Sequence, residues 1–93
     1  MTGKTHIVWT DYLRYRAGLR GFDLARIEEI VRYSDERYVD TATGRLVAVG
    51  KHALQLAMVP YEIEEDVIRP VTVHATTRTQ IEARIKSGRF THE

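Results

Sequence analysis

Apolar residues recur at helical spacing in the first third of the chain, alternate with polar ones through the middle, and return to helical spacing near the end. In DYLRYRAGLR (residues 11–20), Leu13 and Ala17 fall one turn apart, with Tyr12, Tyr15 and Arg16 around them. This predicts a first helix, capped by Thr10 or Asp11, weakened by Gly18 and stopped at Gly21. Asp23 then caps a second helix in which Leu24, Ile27, Ile30 and Val31 share one face and Arg26, Glu28, Glu29 and Arg32 lie outside. Phe22 is placed to staple its start and Ser34-Asp35 to end it. THIVW (5–9) reads as a short strand or as the lead-in to the first helix.

The period then falls to two. RYVDT (37–41) and RLVAVG (45–50) predict strands joined by the turn Ala42-Thr43-Gly44. A third strand is predicted over 53–61, where Pro60 implies a sheet edge or a bulge. EIEED (62–66) reads as an acidic loop, and 67–76 as a fourth strand. At Thr77 the period changes again. Thr77 and Gln80 make a capping-box pattern, Ile81 and Ile85 lie one turn apart, and Gly88 offers a stop, so a last helix is predicted over 77–87 with 89–93 as a tail. The expectation is an α+β domain: two N-terminal helices, a meander of about four antiparallel strands and a C-terminal helix. Helices would cover one face of the sheet. The other, carrying Tyr38, Gln55, Thr72 and His74, would be concave and more polar.

Composition narrows the class. With 93 residues and 43% hydrophobic content, the chain suits one packed domain spanning 1–93. There is no cysteine, which excludes disulfides and thiolate metal sites. The four histidines lack metal-type spacing, so neither a metal nor a cofactor is expected. The N-terminus lacks the apolar core of a secretion signal and no run is long enough to cross a bilayer, which predicts a cytoplasmic protein. A domain this small gains stability from self-association or a partner, so a homo-oligomer is one expectation. Net charge is only +1, but both ends are basic: Lys4, Arg14, Arg16 and Arg20 against Asp11 near the start, Arg78, Arg84, Lys86 and Arg89 against Glu82 and Glu93 near the finish. If the ends meet, they form a patch for phosphates; otherwise this is an ordinary mixed surface.

The junction at 68–78 gathers the polar chemistry. His74 titrates near neutral pH and suits a general acid or base, or is simply a satisfied strand residue. Arg78, in a first helical turn, can fork onto phosphate or pair with Glu82. Arg16 and Arg69 are further phosphate candidates. Tyr12, Tyr15 and Tyr61 can stack bases or pack at the core edge.

Several segments resemble a known family. Arg16, Arg20-Gly21-Phe22-Asp23, Tyr38-Val39-Asp40, Gly44-Arg45 and Gly50, followed by Arg69-Pro-Val-Thr-Val-His-Ala-Thr-Thr-Arg78, are similar to the BrnT toxins, in element order over most of the chain. His74 stands where that family typically has an arginine-like residue. The resemblance implies a RelE-like fold, ribonuclease activity that stops translation, and a cognate antitoxin protein as partner in a type II toxin–antitoxin pair. Such cleavage through the 2′-hydroxyl needs a base, an acid and cations but no metal. The implied assignment is catalysis by His74 and Arg78, with Arg16, Arg69, Tyr12 and Tyr61 binding RNA. The other reading is a non-catalytic protein-interaction module on the same fold. DNA binding alone is weaker, since no helix-turn-helix with a basic recognition helix is present.

Overall fold

The computed structural model describes residues 5–93. Strand β1 (His6–Ile7) leads into helices α1 (Asp11–Arg20) and α2 (Leu24–Tyr33). Strands β2 (Glu36–Asp40), β3 (Leu46–His52), β4 (Gln55–Glu64), β5 (Val67–Pro70) and β6 (His74–Thr76) follow, then helix α3 (Arg78–Lys86) and strand β7 (Phe90–His92).

The helix boundaries follow from local chemistry. Thr10 Oγ1 accepts from the Leu13 N–H at 3.0 Å and opens α1; Gly21, at φ 74°, closes it. Asp23 caps α2 and Thr77 caps α3, each by accepting a backbone N–H through its side chain. The reciprocal half of the capping box is absent, because the Gln80 side chain instead accepts from Thr76 Oγ1 at 3.1 Å.

The sheet is larger than a four-stranded meander. It holds seven strands in the order β1-β5-β4-β3-β2-β7, with β6 also on β4, and it is mixed because β1 runs parallel to β5. Two segments account for the difference. The predicted fourth strand divides at 71–73 into β5 and β6, which pair with different stretches of β4. The expected tail forms β7 on the free edge of β2. The acidic segment is not a loop: Glu62, Ile63 and Glu64 extend β4, and only Glu65-Asp66 make the turn.

Pro60 therefore sits inside an interior strand. Its carbonyl accepts from Val71 N–H, and in a strand a residue's N and C=O point to the same side. Its missing N–H thus faces the 71–73 gap, where no ladder bond is needed.

Helices cover both faces, not one. On the first, α1 and α2 bury Leu13, Ala17, Ile27, Ile30 and Val31 against Ala48, Ala57, Val59 and Tyr61. On the second, α3 and β7 bury Ile81 and Phe90 against Tyr38, Val47 and Val49. The two-residue period sends Val47 and Val49 one way and Leu46 and Ala48 the other. Tyr38, expected on a polar face, is 4% exposed and stacks on Phe90 at 5.3 Å between centroids. Among the described residues, no helix is long and apolar enough to cross a membrane.

At Gly50 helix α2 lies close against the sheet. A Cβ there would stand 2.9 Å from Ile30 Cγ1 and 3.2 Å from Cγ2. Ile30 is buried in the first core and must shift to admit the methyl, so Gly50→Ala is expected to destabilise the domain by about 1–3 kcal/mol, read as a lower midpoint in urea denaturation.

Candidate functional site

The junction that joins β6 to α3 borders a cleft of about 330 Å³ on the α3 face of the sheet. Arg20, His74, Arg84 and Arg89 line it together with Asp40, and Met58 and Phe90 contribute apolar wall. His74 lies opposite Met58 in the β4–β6 register, which fixes its side chain on this face. Arg84 comes from α3 and lies over the Phe90 ring at 5.6 Å. Arg89 comes from the turn before β7. Arg20 is the last residue of α1, which packs on the opposite face; it reaches the cleft beside β6, which among the described residues pairs with β4 alone. Arg20 from one basic end and Arg84 and Arg89 from the other thus meet at one hollow, while Lys4 lies outside the described residues.

Its charge is uneven in a useful way. Arg89 grips Asp40 through Nε and Nη2 at 2.6 and 3.0 Å. Asp40 also accepts the Ala42 N–H at 2.9 Å. The Arg89 contact, opposed by burial, holds the Asp40 carboxyl below the usual carboxylate range. Asp40 therefore neutralises Arg89, while Arg20 and Arg84 form no ion pair among the described residues. Two uncompensated guanidinium groups beside a half-buried imidazole make a receptor for an anion. Burial first, then the Arg20, Arg16 and Arg84 charges, push the His74 pKa below 6.5. The shift favours the neutral imidazole, the form that can accept a proton.

Arg78 takes a different path. Its Nη1 donates to Glu36 Oε2 at 2.6 Å, and the same oxygen accepts from the Tyr38 hydroxyl at 2.7 Å. It pairs neither with Glu82 nor with the cleft. Arg78 holds Glu36 below the usual carboxylate range, and burial, reinforced by Glu36, pushes the Tyr38 hydroxyl up to about 12. His74 and Arg78 share a face of the sheet but not a hollow.

The other candidates also divide. Arg16 is half-buried, with its guanidinium carbon 5.7 Å from the centre of the Tyr12 ring. Tyr12 is 56% exposed. Arg69 lies away from the cleft, 3.5 Å from Glu62. Tyr61 is 3% exposed in the first core, and its hydroxyl accepts from Arg37 Nη1 at 2.8 Å. Arg37 also donates to the carbonyls of Val31 and Ser34, tying the end of α2 to the sheet.

Arg20, Arg84, Arg89 and Asp40 were not singled out as site residues from sequence. The three arginines show in the sequence as part of the basic ends, and Arg20 and Asp40 also stand in the segments that carry the family resemblance. No protein-family profile, curated protein or solved structure matches the chain.

Proposed function

We propose that this is a cytoplasmic, BrnT-like toxin of a type II toxin–antitoxin pair that cleaves RNA without a metal, with the Arg20–His74–Arg84–Arg89 cleft as its reaction centre. The observation that carries the reading is an imidazole lining one cleft with Arg20 and Arg84, neither of which forms an ion pair among the described residues. In this reading His74 takes the 2′-hydroxyl proton, the 2′ oxygen bonds to phosphorus, and the bond to the 5′ oxygen breaks. The 5′ oxygen leaves with a proton, returned by the His74 imidazolium, and the product carries a 2′,3′-cyclic phosphate. Arg20 and Arg84 meet the charge that builds on the phosphoryl oxygens. Arg89, clamped to Asp40, fixes the wall.

The test is incubation of purified protein with RNA in excess chelator. Cleavage that persists and leaves cyclic phosphate ends supports the reading. Intact RNA, with no growth arrest on expression, removes it. Arg84→Ala is expected to slow cleavage by about 10²-fold, the scale for losing one donor to a developing oxyanion. Arg78→Ala, which loses a surface contact to Glu36, is expected to change the rate far less; the opposite order would return the reaction to the helix start.

A second reading, a non-catalytic module that binds a protein, is favoured by apolar side chains left in solvent. Val8, Tyr15 and Leu19 are 42%, 65% and 66% exposed around α1. Recovery of a stoichiometric protein partner by a chain that cleaves no RNA would select it.

A further inference from the structure

At about 330 Å³ the cleft spans only a short stretch of a polymeric ligand; what lies next to it decides how a longer ligand runs. Tyr12, Arg16 and Arg20 are spaced four residues apart on α1, so they form one row along the helix, with about 6 Å of rise between neighbours. The row borders the buried stripe of Leu13 and Ala17 and ends at the cleft, where Arg20 is part of the lining. Arg16 lies close enough to His74 to act on its charge. Its Nε is buried with no hydrogen-bond partner, while its guanidinium rests against Tyr12. The Tyr12 ring is more than half exposed and carries no load in either core. Two cations leading from an anion site to a solvent-exposed aromatic side chain match a chain of phosphates with unpaired bases. They do not match a duplex, whose bases offer no free face.

We propose that the Tyr12–Arg16–Arg20 row is a track for single-stranded polynucleotide, along which the phosphate next to the one in the cleft meets Arg16 and an adjoining base stacks on Tyr12. This rests on the ribonuclease reading, since the same cleft holds the scissile phosphate. The track makes affinity depend on length: a dinucleotide fills only the cleft, and a longer strand also engages Arg16 and Tyr12.

The experiment measures fluorescence anisotropy of labelled 2′-O-methyl oligonucleotides, which lack the attacking hydroxyl and stay intact, against the full chain. An oligonucleotide of about eight nucleotides is expected to bind at least 10-fold more tightly than a dinucleotide. Tyr12→Ala is expected to weaken the longer ligand about 10-fold, and Tyr12→Phe to restore it, because stacking needs the ring and not the hydroxyl. Tyr12 is exposed, so the melting temperature of both variants should match the parent. Equal affinity for the two lengths, an unaffected Tyr12→Ala, or equal binding of a duplex overturns the track. So does a polyglutamate peptide that binds as tightly with the same Tyr12 dependence, which would assign the face to an acidic protein. If RNA stays intact but length and Tyr12 dependence hold, cleavage fails and the track stands; if RNA is cut but both dependences vanish, the track alone falls.

Discussion

His74→Ala is expected to slow RNA cleavage by about 10²–10⁴-fold, the usual contribution of a positioned general acid–base group. The melting temperature at pH 7 should change little, because His74 is half-buried and makes no side-chain hydrogen bond among the described residues. The pH profile separates a base from a bystander. The free base is the active form, so the wild-type rate should rise with pH through a midpoint below 6.5 and level off before neutrality. Arg84→Gln removes one of the three charges that repel the proton and should move that midpoint upward, even though burial remains the larger cause. Stability carries the same sign. The folded-state pKa is depressed, so the unfolded chain binds the proton first as pH falls below 6.5. The domain loses stability between the unfolded and folded pKa values, and His74→Ala should flatten that part of the curve. A rate that falls with rising pH through the same window would sink the role as base.

Ile81→Ala carries the largest expected effect on folding. Ile81 is the buried residue of α3 and is 1% exposed, packed with Tyr38, Val47, Val49 and Phe90. Truncating a buried isoleucine costs about 2–5 kcal/mol, against a total of roughly 5–10 kcal/mol for a domain of this size. The thermal midpoint should fall by on the order of 10–30 °C. The effect has a direction as well as a size. α3 supplies Arg84 and leads into Arg89, so loss of its anchor opens the cleft before the α1–α2 side loosens. Hydrogen exchange should show early loss of protection in α3 and β7 while α2 and β3 remain protected. Ile27→Ala, fully buried on the other face, should destabilise by a similar amount without that order. Uniform loss of protection in both variants would mean that the two cores unfold as one unit.

Part of this was legible in the sequence, for local reasons. Helix α1 was predicted over the span it occupies and α2 close to it, because Thr10, Asp23 and Gly21 terminate them through bonds and dihedrals a few residues away. Thr77 marked the start of α3 in the same way. The alternation in β2 and β3 was readable, since period two is a property of the strand itself. The sheet was not. Whether 67–76 is one strand or two depends on β4 offering different stretches to each half, and whether 89–93 is a tail or a strand depends on β2 having a free edge.

The site divides along the same line. His74 stood out from sequence as the one near-neutral titrator at the strand-to-helix junction, and it does line the cleft. Arg78 stood out equally, but a carboxylate 42 positions earlier claims it. Tyr61 has the composition of a stacking residue and the burial of a core residue, because parity on β4 turns it under α2. The sequence by itself determined the three helices, their caps, the alternation in β2 and β3 and the basic character of both ends, since these rest on contacts within a few residues. Only the tertiary structure decided which arginines face His74, because Arg20, Arg84 and Arg89 come together through strand pairing across the whole length of the chain.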